Sequence, residues 1–125
     1  MKNGFNVMLV FLIGLLVLIT IFQWVMSDKS METYTQNYIN TALTDKKYSR
    51  LKNIVRDKEV YNKLKTQKKI TLKFTADNQG AGRIAYFPAK VSGFKGNIGV
   101  DINMKSILLH QYKLIRITNL GNMTS

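Results

Sequence analysis

The apolar positions of this chain fall into three regimes. Residues 7–22, VMLVFLIGLLVLITIF, carry no charge, and with Gln23, Trp24, Val25 and Met26 they make a run of about twenty. At 1.5 Å per helical residue such a run is about 30 Å long, the thickness of a bilayer's hydrocarbon core. The pattern predicts one membrane-spanning helix over residues 5–26. Gln23 and Trp24 fall where an amide and an amphipathic ring reach lipid headgroups. Gly14 and Thr20 are small residues that let helices pack closely. A cleaved secretory signal is the alternative, with Val25, Met26 and Ser27 as its cleavage site.

In the second regime Met31, Tyr34, Tyr38 and Ala42 recur at helical spacing with Ile39 and Leu43 beside them, so the helix continues straight out of the membrane. Thr44, Asp45, Lys46 and Lys47 interrupt the stripe. Tyr48, Leu51, Ile54, Val55, Tyr61 and Leu64 resume it, and Asp45 or Ser49 stands ready to cap the restarted helix. Residues 27–66 therefore read as an amphipathic helical segment broken near residue 45.

Beyond Gln67 the period becomes two. Ile70, Leu72 and Phe74 alternate with Thr71, Lys73 and Thr75, as in a half-buried strand. DNQGAG, residues 77–82, is a turn-rich interruption. Arg83 to Phe87 is a second strand whose far end Pro88 places at an edge or bend. Ile98, Val100, Ile102 and Met104 mark a third strand, and residues 112–118 a fourth. The fold class expected is α+β: a long N-terminal helix, transmembrane and then amphipathic, followed over residues 67–125 by a small antiparallel sheet of about four strands.

Charge changes this picture only in its second half. The chain has 19 basic and 7 acidic residues, net +12, and of the basic ones only Lys2 precedes the apolar run. That balance favours anionic partners such as DNA, RNA, anionic lipid or wall polymer, and says nothing about fold. Arg56, Lys58, Lys63, Lys65, Lys68, Lys69 and Lys73 run from the second helical stretch into the first strand with Tyr61 among them. They are candidates for contact with the phosphates of DNA or of teichoic acid. The plainer expectation is a solvated face, since no nucleic-acid motif accompanies them and no aromatic platform of the kind that stacks bases stands beside them. Lys2 and the amino terminus favour an N-terminus inside and a C-terminal domain outside.

Catalytic chemistry finds little support. There is no cysteine, and His110 is the only histidine, so neither a thiol nor a His-based metal pair or triad can be assembled. His110 reads as a strand-end or loop residue. The acids Asp28, Glu32, Asp45, Asp57, Glu59, Asp77 and Asp101 sit among lysines or in turns, with no two paired for acid–base work. GFKGNIG, residues 93–99, lacks the strand-then-helix setting of a phosphate cradle and reads as a loop or bulge entering the third strand. No enzyme activity, cofactor, metal or small-molecule substrate is expected.

A short basic leader ending in Gly4, then Phe5, then an apolar helix that becomes amphipathic and leads into a four-stranded sheet, resembles the type IV pilin-like family. IFQWVMSDKSMETYTQNYINTA, followed by KKITLKF and YFPAKVSG, looks like the small pseudopilins of tight-adherence pili and of conjugative elements from Gram-positive bacteria. The resemblance implies a leader of residues 1–4, cut after Gly4 by a prepilin peptidase, with Phe5 as the new and sometimes methylated terminus. It implies packing of the helix, through Phe5 and residues 7–22, against other helical subunits. The family's usual glutamate at the fifth mature position falls on Leu9, a departure tolerated in minor or tip subunits. The expectation is a membrane-anchored minor pilin or pseudopilin of a pilus, secretion or conjugation apparatus. Alternatives are a permanently anchored accessory subunit of an envelope or conjugative complex, and a tethered binder of nucleic acid or anionic wall polymer.

Overall fold

The computed structural model describes residues 2–106 and 109–121; of Lys2, Trp24 and Val25 it gives the backbone alone. The interfacial placing expected of the Trp24 ring therefore lies outside the described residues. The chain forms an α+β fold in the order expected, with three helices followed by four strands. Helix α1, Lys2–Thr44, runs unbroken for 43 residues, about 64 Å. Its first half is long and apolar enough to cross a membrane, and the most apolar part of it has no buried side chain.

The second half of α1 turns one face to the core. Met31, Thr35, Ile39, Ala42 and Leu43 are buried, and Tyr34 and Tyr38 flank them half-buried. Thr35 is the polar member of this stripe, absent from the apolar pattern. Its hydroxyl donates to the Met31 carbonyl oxygen at 2.8 Å, which removes the cost of burying it. The helix stops at Thr44, where Lys46 takes φ 57° and the Lys47 N–H returns to the Ala42 carbonyl at 2.8 Å. This is the break expected near residue 45.

The restart differs from expectation. Helix α2, Tyr48–Ile54, has Lys47 at its N-cap with no side-chain cap, so neither Asp45 nor Ser49 serves. The stretch from Tyr48 to Leu64 is also two helices instead of one. Val55 is extended and bridges Ile117 in parallel, which breaks the helical run. Asp57 then caps α3, Lys58–Lys65, by accepting from the Val60 N–H at 3.0 Å. Glu59 in its first turn and Lys63 and Lys65 in its last complement the helix dipole.

Strands β1 (Leu72–Phe74), β2 (Ile84–Val91), β3 (Asn97–Ser106) and β4 (Gln111–Asn119) form an antiparallel meander in sequence order. Their inward residues, among them Leu72, Ala85, Phe87, Ala89, Ile98, Val100, Ile102, Leu114 and Ile117, meet the α1 stripe and Leu51, Val60 and Leu64 of the short helices. Phe74 stacks on Phe87 with ring centroids 4.0 Å apart. Strand β2 does not end at Pro88, as expected, but continues to Val91 between β1 and β3. The reason lies in the register. Tyr86 sends its N–H and C=O towards the β1 side, to Asn78 and Gln79, and by the period of two Pro88 faces that side too. Strand β1 stops at Phe74, opposite Ala89, so the N–H that proline lacks costs one bond at the very end of that ladder, and the β2–β3 ladder on the other side runs on past Pro88 to Lys90. The Pro88 carbonyl still accepts from Thr75 at 2.9 Å.

Of the 93–99 stretch, Gly93 forms the turn with φ 82° and Gly99 lies within β3. A Cβ on Gly99 would come within 2.7 Å of the Tyr86 hydroxyl and of Thr118 Oγ1, because the Tyr86 side chain lies over it.

Candidate functional site: the bare helix and the helix–sheet clasp

Two surfaces stand out, one on each half of α1. On the first half, Phe5 is 64% exposed and Leu9 46%, and every residue from 7 to 22 is exposed. No part of the described chain covers them. Gly4 and Gly14 have nothing within 4 Å of where a Cβ would sit. Thr20 satisfies its hydroxyl on the Leu16 carbonyl at 2.9 Å, so it adds no polarity to the surface. The Gln23 amide oxygen, at the end of the run, has no hydrogen-bond partner.

On the second half, three polar residues one helical turn apart face strand β1. Glu32 accepts from the Phe74 N–H, Gln36 from the Leu72 N–H and Asn40 from the Ile70 N–H, at 2.9, 2.9 and 2.8 Å. Asn40 Nδ2 also donates to the Ile70 carbonyl at 2.9 Å. A turn of four residues advances about 6.0 Å along a helix, and two strand residues advance about 6.6–6.8 Å. The two rises nearly match, so an antiparallel strand keeps step with the helix for three rungs.

The consequence is a sheet edge with its donors occupied. An edge strand presents unpaired N–H groups on which another chain can pair. Here β1 gives them to side chains of α1. The opposite edge is covered as well: β4 carries the Val55 bridge at Ile117, and its Leu114 N–H donates to the Tyr34 hydroxyl at 3.1 Å. Tyr34 in turn lies 5.8 Å from the Tyr112 ring and 6.2 Å from that of Tyr38. Both edges of the sheet thus end on the same helix.

The electrostatics follow the clasp. Burial raises the energy of a Glu32 carboxylate, but its hydrogen bonds from Lys29 at 2.7 Å and from the Phe74 N–H, with the charges of Lys29 and Lys73, hold its pKa below the usual value. Asp28 moves the other way. Burial and the neighbouring Asp77 charge push its pKa up, against a hydrogen bond from the Asn78 backbone. The structure thus brings Asp28 and Asp77 together, which their spacing in sequence did not predict. They line a shallow hollow of about 290 Å³ with Lys29, Glu32 and Thr75.

The seven basic residues are spread over the α2–α3 junction, α3, the stretch before β1 and β1 itself. Arg56 lies between α2 and α3, Lys58 begins α3, and Lys68 and Lys69 are exposed in the stretch before β1. Lys73 is on β1 and acts on Glu32. Lys63 lies over the Phe94 ring at 5.9 Å, whereas Lys65 lies over Tyr48 and Tyr61 at 5.3 and 5.9 Å. Aromatic rings thus stand within cation–π range of these two lysines. His110 takes φ 50° in the turn entering β4, a loop residue as expected. Among the described residues no group of His, Cys, Asp or Glu could hold a metal ion. Sequence reasoning missed the Glu32–Gln36–Asn40 clasp; its only trace was three polar residues with hydrogen-bonding side chains at intervals of four.

Compared with family models, with characterised proteins and with solved structures, the chain matches none.

Proposed function

We propose that the chain is a membrane-anchored, pilin-like structural subunit of the minor pilin or pseudopilin kind. The observation that carries this is the division of α1. One continuous helix has a bare apolar first half with no partner in its own chain, and a second half locked to a four-stranded sheet at both edges. A helix of that kind can exchange lipid for neighbouring helices and pack laterally into a bundle, with the sheet domains arrayed around it. Leu9 in place of a carboxylate suits a subunit present in few copies, because the bundle then needs no buried charge pair at that level. The N-terminus lies inside, the C-terminal domain outside, and the protein's partners are the bilayer and other helical subunits.

The mature N-terminus tests this. Mass spectrometry of protein from cells carrying the native locus is expected to find Phe5 first, and Gly4→Val to block processing. A side chain at Gly4 meets open space, so that variant leaves the fold intact. Met1 or Lys2 at the terminus of assembled protein would replace this reading with the permanently anchored accessory subunit. The tethered polymer binder has less support, since Lys63 and Lys65 are engaged with rings of their own chain.

A further inference from the structure

The sheet packs the helices on one face, where Phe87, Ile98, Val100 and Ile117 are buried. Among the described residues no element covers the other face. Alternation and register set out its side chains in rows across the strands: Lys73 and Lys90, then Pro88 and Gly99, then Tyr86, Asp101 and Arg116. Two local departures from a regular strand build the last of these rows. Leu114 pairs with Ile102 and Arg116 with Asp101, so Ile115 is an extra residue, a bulge in β4. Without it Arg116 would follow Leu114 into the core by the period of two. With it, Arg116 turns outward and Ile117 inward. Asp101 Oδ2 then accepts from Arg116 Nε at 3.0 Å, which orients the guanidinium and leaves its two Nη groups without a hydrogen bond among the described residues.

Gly99 is the second departure, a glycine inside a strand. A Cβ there would lie 2.7 Å from the Tyr86 hydroxyl and 2.9 Å from Tyr86 Cε2, so the bare backbone is what lets the ring lie down on β3. Tyr86 remains half-buried in that position, on a low floor of Gly99 and Pro88. Around this floor the charge is one-sided. The four strands carry five basic residues and one acid, Asp101, which Arg116 already holds. Asp28, Glu32 and Asp77 line the hollow beside α1, and the remaining acids belong to the helical layer. Lys90 is exposed two rows from Tyr86, about 13 Å along β2, with Lys73 exposed beside it on β1. Arg116 lies two strands away on the other side, about 9.5 Å. A flat-lying ring flanked by cations at these distances offers stacking at its centre and phosphate contacts at its margins.

We propose that the open face of the sheet binds single-stranded DNA, with a base stacked on Tyr86 and the neighbouring phosphates on Arg116, Lys90 and Lys73. A single strand is the occupant because its bases are free to stack, whereas a duplex keeps its bases paired and an anionic wall polymer has none. Of the seven basic residues singled out from the sequence only Lys73 belongs to this face. The proposal does not depend on how α1 is processed or packed.

Fluorescence anisotropy of a short labelled oligothymidylate, titrated with the full-length protein in detergent, tests it. Tyr86→Leu is expected to weaken binding about five-fold or more, the lower end of what base–aromatic stacking supplies, and Tyr86→Phe to leave it near the native value. Lys90→Gln is expected to lower the salt slope by about 0.7, one phosphate contact on a single strand, while Lys58→Gln, the same change of charge on the helical layer, leaves it unaltered. An abasic strand of equal length, which has the phosphates without the bases, is expected to compete several-fold less well. Because that competition uses the native protein, it decides the matter even where Tyr86→Leu unfolds the sheet. An abasic strand that competes as well as oligothymidylate overturns the proposal, since charge alone then binds. Equal effects of Lys58→Gln and Lys90→Gln overturn it too, as does tighter binding of the matching duplex or no binding at all.

Discussion

Ile19 and Ile39 stand on the same helix and meet opposite surroundings. Ile19 is 47% exposed and Ile39 is fully buried. Around Ile19 the helix is almost wholly apolar, Thr20 returns its hydroxyl to the Leu16 carbonyl and only Gln23 adds an amide, so this half offers a mainly hydrocarbon surface of the kind a lipid environment accepts. Around Ile39 the face is divided. One stripe packs into the core, and the adjoining Glu32, Gln36 and Asn40 are spent on the backbone of β1. One secondary structure thus carries two kinds of surface, the first of them long and apolar enough to cross a membrane. What changes at Met26 is only the placement of side chains that can hydrogen-bond. The apolar half is left bare among the described residues, and the polar half closes the chain upon itself.

The same substitution made twice would break or uphold that contrast most directly. Ile39→Ala is expected to destabilise the sheet domain by about 2–5 kcal/mol, the usual cost of emptying a packed core site. Ile19→Ala is expected to leave domain stability unaltered, because Ile19 supports no part of the sheet. Denaturant unfolding of both full-length variants in detergent, followed by the sheet signal in circular dichroism, measures the difference. Equal losses would mean that the two halves of α1 fold as one unit.

The clasp comes next in size. Asn40→Ala removes two hydrogen bonds and leaves the Ile70 N–H and C=O without those partners, at an expected cost of about 1–3 kcal/mol. Gln36→Ala frees one N–H and is expected to cost less. Amide hydrogen exchange sharpens the result: protection at Leu72 should fall in the Gln36 variant while Ile98, in the β2–β3 ladder, keeps its own. If protection at Leu72 survives, water serves that edge as well as the helix does.

How much of this was legible follows from the range of the interactions involved. The strands around Ile70–Leu72–Phe74 and Ile98–Val100–Ile102 announce themselves by alternation, because each side chain's fate depends on the pleat at its own position. The stripe Met31–Ile39–Leu43 is visible for the same local reason. Glu32, Gln36 and Asn40 look like ordinary solvent-facing residues, since their partners lie 30 to 42 positions away on β1. The break at Val55 was hidden because its bridging partner, Ile117, is more remote still. Pro88 misled by a sound rule, as only the register reveals that its missing donor falls at the end of the short β1 ladder and not in the β2–β3 ladder. The bare helix, by contrast, was fully legible: its side chains answer to no other part of the chain.

The smallest effects lie at the end of the clasp nearest the apolar run, where two carboxyls are shifted in opposite directions. Glu32 has its folded pKa lowered, so the unfolded chain takes up its proton more readily. Its contribution to stability is complete above the ordinary carboxyl range, about pH 4, and is lost as pH falls through the folded value. Asp28 has its folded pKa raised. The stability its protonation provides is present below the ordinary range and is lost as pH rises through the folded value. Glu32→Gln keeps an amide oxygen for the Phe74 N–H and should flatten the acid side of a plot of Tm against pH. Asp28→Asn removes a charge that burial and Asp77 oppose, and should raise Tm slightly at neutral pH, where the native carboxyl is ionised. Thermal melts of the detergent-solubilised full chain across the acid and neutral range read both signs at once. A lower neutral Tm for Asp28→Asn would mean that the Asn78 N–H outweighs burial and Asp77 together. The Asp28 side of the helix would then be a third polar attachment of α1 to the sheet domain, beside the β1 rungs and Tyr34.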